Sequence, residues 1–140
     1  MKEIGTDMLW KYPQEEAARL PSLALAYVGD AVFELFIRCR LAAEEVKVKR
    51  MHRGAINLVS ARAMAEYYKK LEPHLSTMEN EVLHRGRNVK SRRSKSAGVS
   101  QYHMSTGFEA LVGYLFLSGQ EERLAYLLSL LIGEENGSTE

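Results

Sequence analysis

Apolar residues dominate the stretch from Leu23 to Arg38, which predicts one long helix with its only aspartate, Asp30, at its middle. Pro21-Ser22 marks its start, with Ser22 in the role of N-cap, and the pattern holds to about Ala43. A second helix is expected from roughly Lys49 to Leu71. There Met51, Ala55, Leu58, Val59, Ala65, Tyr68 and Leu71 approximate the helical period, while Arg50, Arg53, Arg62, Lys69 and Lys70 take other faces. Glu72-Pro73 ends it, because a residue preceding proline disfavours the helical region. Ser76-Thr77-Met78-Glu79 is a capping-box pattern opening a third helix, with Val82 and Leu83 turned inward. Arg85 to Gly98, rich in Gly, Ser, Arg and Lys, reads as a loop. A fourth helix begins near Ser105 and stops at Gly119. A fifth begins with Glu121 and Glu122, carries Leu124, Leu127, Leu128 and Leu131 as its core stripe, and ends at Gly133. Residues 1–20 are weakly patterned apart from a helical turn after Pro13. No hairpin or internal repeat is evident, so the expected fold is all-α.

Length then sets the organisation. A chain of 140 residues makes one domain, 1–140, with a core from about residue 20 to 133 and a frayed tail over 134–140. A hydrophobic fraction of 46% with 26% charged residues argues against disorder. The N-terminus lacks a signal-peptide pattern and no apolar run is long enough for a membrane span, so a cytoplasmic protein is expected. Cys39 is the single cysteine; it cannot form an intramolecular disulfide and reads as a buried apolar thiol. The net charge of +1 hides an asymmetry. No acid occurs between Glu81 and Glu109, while Arg85, Arg87, Lys90, Arg92, Arg93 and Lys95 all do, and such a patch attracts polyanions.

Two isolated acids carry the candidate chemistry. Asp30 lies among Val28, Ala31 and Val32; Glu109 lies inside Phe108-Glu-Ala-Leu-Val-Gly113. Either is expensive to bury alone. If the two helices pack side by side, the carboxylates form a hard-oxygen site suited to Mg²⁺, which takes one or two protein carboxylates and completes its shell with water and phosphate. The competing reading pairs each acid with an arginine such as Arg38 or Arg62, or turns it to solvent. Glu34, one turn beyond Asp30, reads as solvated or salt-bridged. The Glu81-x-x-His84 spacing occurs once, whereas di-iron bundles need two copies, and His52, His74 and His103 have no triad partner by spacing. No nucleophile-elbow, Walker A or dinucleotide-binding glycine pattern is present.

Tyr27-Val-Gly-Asp-Ala-Val32 resembles the signature helix of the ribonuclease III family, and Phe108-Glu-Ala-Leu-Val-Gly113 resembles its second acidic motif. Met51 to Glu66 and Lys90-Ser91 are similar to the blocks between them, so the resemblance covers about Leu20 to Gly119 in the right order. The chain stops where a double-stranded-RNA-binding domain would follow, and Arg85-Gly-Arg-Asn-Val-Lys90 is most similar to the short Mini-ribonuclease III family. That resemblance implies an all-helical homodimer that cuts duplex RNA with Mg²⁺, leaving 5′-phosphate and 3′-hydroxyl ends. It also implies trimming of precursor large-subunit ribosomal RNA, with a ribosomal protein able to shape the substrate.

Asp30 and Glu109 match two of the four family acids; Ala26 and Thr106 stand where the other two would be. With no appended domain, duplex grip is expected from Arg85, Arg87, Asn88, Lys90, Arg92, Arg93 and Lys95. Help is expected from Lys49, Arg50, His52 or Arg53, through phosphates and 2′-hydroxyls more than bases. The runner-up reading is a catalytically inactive RNA- or ribosome-binding module; a helical protein–protein adaptor explains neither the acids nor the basic stretch.

Overall fold

The central helix of the fold is the second acidic one, and the others wrap it. The computed structural model describes residues 11–44, 47–89 and 97–133. Within them the order is α1 (Gln14–Ala18), α2 (Ser22–Glu44), α3 (Val48–Val59) and α4 (Ala61–Leu71). A 3₁₀ turn (Glu72–His74), α5 (Thr77–Arg87), α6 (Ala97–Leu117), α7 (Glu121–Leu128) and a closing π turn (Ser129–Gly133) follow. The described residues contain no strand, so the fold is all-α.

Helix α6 is buried along most of its length from Ser105 to Leu115 because α2, α4 and α5 pack around it. An aromatic cluster locks three of these helices together. Phe33 of α2 meets Phe108 of α6 edge-on at 5.0 Å between centroids, and Tyr67 of α4 lies 5.6 Å from Phe33 and 5.3 Å from Phe108. Such contacts add to the area term that dominates core stability. Tyr67 also donates from its hydroxyl to the Leu58 carbonyl at 2.9 Å, tying the end of α3 to α4.

The single helix expected from Lys49 to Leu71 is two. Ser60 adopts an extended conformation (φ −67°, ψ 159°) and its hydroxyl accepts the Ala63 amide at 3.1 Å, so it caps α4 and breaks the run. The capping box at Ser76 forms as expected, with Ser76 Oγ accepting the Glu79 amide and Glu79 accepting the Ser76 amide. Ser22 is not the cap of α2 but its first helical residue; its hydroxyl accepts from Arg85 instead.

Two boundaries around the basic stretch also shift. Helix α5 continues through Arg87, so Arg85 and Arg87 are helical and Asn88 is the C-cap, not part of a loop. Helix α6 begins at Ala97, not near Ser105. Ser105 and Thr106 resemble capping residues in sequence, but both hydroxyls donate back to the Tyr102 carbonyl, at 2.7 and 3.0 Å, within a continuous helix. Cys39 is exposed rather than buried, because α2 is apolar on more than the face that meets the core.

Candidate active site

Two glycines bring the acids together. A side chain at Gly29 would put its Cβ 1.8 Å from the Glu109 carbonyl oxygen, and one at Gly113 would lie 2.0 Å from the Leu25 carbonyl oxygen. Helices α2 and α6 therefore cross antiparallel with main chain against main chain, a closeness that only glycine permits. Asp30 follows the first glycine and Glu109 lies one turn before the second, so the crossing sets the two carboxyl groups side by side.

The Glu109 carboxyl is pushed up to about 8, first by burial, then by the Asp30 charge and by the hydrogen bond between the two side chains. Asp30 itself is exposed, as in the alternative that turns it to solvent and contrary to its apolar sequence context, and Glu109 is half-buried. One acid thus faces outward from the crossing and the other is sheltered behind it. Among the described residues no Arg, Lys or His is paired with either carboxylate. The ion-pair alternative for Asp30 fails at Arg38, whose guanidinium is taken by Glu34 at 2.7 Å, and Glu34 is accordingly salt-bridged as expected.

This donor set fits Mg²⁺. Two hard oxygen donors, adjacent, partly shielded and without a neutralising cation, leave most of a coordination shell to water or phosphate. The site stays small: no group of three or more His, Cys, Asp or Glu side chains converges among the described residues. Ala26, one turn before Asp30, is buried and has no ligand atom, and Thr106 is 5% exposed with its hydroxyl donating to the Tyr102 carbonyl, so neither adds an oxygen ligand.

The expected RNA-facing residues divide four ways. Arg87 and Asn88 end α5, and the Arg87 guanidinium lies over the Tyr68 ring at 6.0 Å. Arg85 is exposed but tethered, donating to Ser22 Oγ at 3.0 Å and to the Leu20 carbonyl at 2.7 Å. His52 and Arg53 are exposed on α3, as are Lys49 and Arg50. Lys90, Arg92, Arg93 and Lys95 lie outside the described residues. His84, set aside as a metal ligand, contacts Glu72 at 2.6 Å.

Sequence reasoning missed a buried ion pair. Glu79, 5% exposed, accepts two hydrogen bonds from Arg123, each at 2.9 Å, and Arg123 donates a third to the His74 carbonyl. Glu79 was read only as a capping residue, and nothing in the spacing links it to a residue 44 positions away.

Comparison with known proteins agrees with this architecture. Residues 23–120 match the Ribonuclease III domain family. A Mini-ribonuclease 3 of Symbiobacterium thermophilum is 50% identical over 111 residues, covering 78% of this chain and 85% of that protein. One of Clostridium tetani is 36% identical over 135 residues, covering 93% and 89%. A crystal structure of a Fusobacterium nucleatum protein superposes with a TM-score of 0.72 at 25% identity, over 80% of this chain and 91% of that one. The chain belongs to the ribonuclease III family, in its Mini-ribonuclease III branch. Membership supports nuclease activity, and no helix among the described residues is long and apolar enough to cross a membrane.

Proposed function

We propose that this protein is an endoribonuclease that hydrolyses phosphodiester bonds of double-stranded RNA at Asp30 and Glu109. The observation that carries the reading is the pair of contacting carboxylates with no cationic partner among the described residues, held where α2 and α6 cross. Asp30 and Glu109 would hold Mg²⁺, which when bound supplies water activation and charge stabilisation at the leaving oxygen. Glu109 must be ionised to take part, and its sheltered position fixes its carboxylate against the exposed Asp30. Arg87, Asn88, His52 and Arg53 would contact phosphates, with Lys90, Arg92, Arg93 and Lys95 adjoining them in sequence, and such contacts carry little base specificity.

The products would be 5′-phosphate and 3′-hydroxyl ends. Precursor large-subunit ribosomal RNA in the cytoplasm is the proposed cellular substrate, shaped by a ribosomal protein. A homodimer of single-domain chains is the proposed working form. Leu23 and Tyr27, 56% and 84% exposed on α2 beside Asp30, give such a dimer an apolar surface.

The test is cleavage of a long RNA duplex with Mg²⁺ and with chelator, for wild type and Asp30→Asn. Metal-dependent cutting that falls on the order of a thousandfold or more in the variant is the expected outcome. Cutting that survives either the chelator or the substitution would sink it. The buried Ala26 and the committed Thr106 hydroxyl favour one second reading, a catalytically inactive RNA- or ribosome-binding module. Duplex binding without cutting, across several divalent metals, would establish that reading instead.

A further inference from the structure

An open cleft of about 570 Å³ lies between the α1–α2 corner and the end of α5, away from the acid pair. Arg19, Ser22, Arg85 and Asn88 line its polar side, and none of its described lining residues is a carboxylate. Its two arginines differ in a useful way. Arg85 is fixed, with Nε on Ser22 Oγ at 3.0 Å and one Nη on the Leu20 carbonyl at 2.7 Å, which leaves its other Nη uncommitted among the described residues. Arg19 is exposed at the C-terminal end of α1, and among the described residues its guanidinium pairs with no carboxylate. A tethered guanidinium and a free one lining the same cleft, with no carboxylate among its described lining residues, suit one phosphate group.

The position of the cleft relates it to the chemistry. Ser22 begins α2 and Asp30 lies eight residues further along the same helix, about 12 Å at the usual 1.5 Å rise per residue. A duplex held with its scissile bond at Asp30 would bring one of its neighbouring phosphates within reach of Arg19 and Arg85.

We infer that Arg19 and Arg85 form a phosphate clamp for an internal phosphodiester of the bound RNA duplex, a few nucleotides from the cut. This rests on the duplex-nuclease reading above and adds Arg19, which the basic stretch of the sequence does not include. Arg85 is the preformed half of the clamp; Arg19 closes on the strand from the other side. The clamp sets where along the strand the bond nearest Asp30 falls.

Duplex binding in chelator, measured across a range of salt, tests the clamp without requiring any cutting. Arg19→Ala should weaken binding roughly three- to tenfold at low salt and lower the salt slope by about one phosphate contact. Lys70→Ala removes the same charge from an exposed site at the end of α4 and should change affinity less than twofold. A scan of single neutral methylphosphonate linkages around the cut adds position. Wild type should lose affinity at one linkage beside the cut, and Arg19→Ala should be indifferent at that linkage only. Equal losses from Arg19→Ala and Lys70→Ala, or an unchanged methylphosphonate profile, would overturn the clamp. A wild type that binds duplex but never cuts would count against the nuclease reading and leave the clamp measurement intact.

Discussion

Glu79 and Glu109 are both acids on helices packed against the core, and their surroundings treat them in opposite ways. Burial works to raise both carboxyls. At Glu79 the hydrogen bonds and charge of Arg123, with the Ser76 amide and hydroxyl, outweigh burial and hold it below the ordinary carboxylate range. At Glu109 burial is reinforced by the neighbouring Asp30, and the carboxyl rises to about 8. A buried acid with its counter-charge serves the fold. A sheltered acid placed beside a second acid, with no counter-charge among the described residues, is a standing demand for a cation from outside.

The glycine crossing is where that difference is made, and breaking it has the largest expected effect. Gly29→Ala should lower stability by about 3 kcal/mol, or roughly ten degrees in melting temperature, because its Cβ meets main chain rather than a movable side chain. A melting curve within two degrees of wild type would show that α2 and α6 can part without penalty.

Glu79→Ala should be the next most harmful, at about 2 kcal/mol by chemical denaturation. It removes the capping box and leaves Arg123 unpaired, and because Arg123 is 32% exposed the loss falls short of that for a fully buried pair. Glu109→Gln should do the reverse and leave the metal-free protein as stable or more stable near pH 8. If both substitutions destabilise equally, the contrast between the two acids is wrong.

The smallest effect is in pH, and its sign differs between the two sites. Folded Glu109 titrates near 8 against an ordinary 4.5, so its contribution is fully present below about 4.5 and lost as pH rises through about 8. Folded Glu79 is held low, so its contribution is present above the ordinary range and lost as pH falls through its lowered value. Melting of the metal-free protein between pH 6 and 9 should therefore decline in wild type and flatten in Glu109→Gln. A decline that persists in the variant would assign the titration elsewhere.

Much of this was legible in the chain. Asp30 and Glu109 announce themselves as acids flanked by apolar residues, and Gly29 and Gly113 stand inside the same two motifs. The capping box at Ser76 forms where its four residues predict it. What failed to show was tertiary. Ser60 splits a run whose apolar period looks continuous, and Ser105 and Thr106 bond backward where capping residues would bond forward. The exposure of Asp30 and Cys39 depends on which faces of α2 the neighbours cover, and hydrophobicity along one helix does not report that. Arg85 looked like part of a basic loop, but its reach to Ser22 and Leu20 spans more than sixty positions and leaves no local trace.

The main-chain contact at Gly29 and Gly113 also separates two things that evolution can vary. Where the acids stand is set by the close approach of the α2 and α6 backbones at these glycines. How many acids stand there is a matter of side chains, and the buried Ala26 and Thr106, on the same two helices, carry no carboxylate. A lineage can therefore trade ligands in and out of such a site without refolding around each exchange, because the address of the site is written in residues that have no side chain to lose.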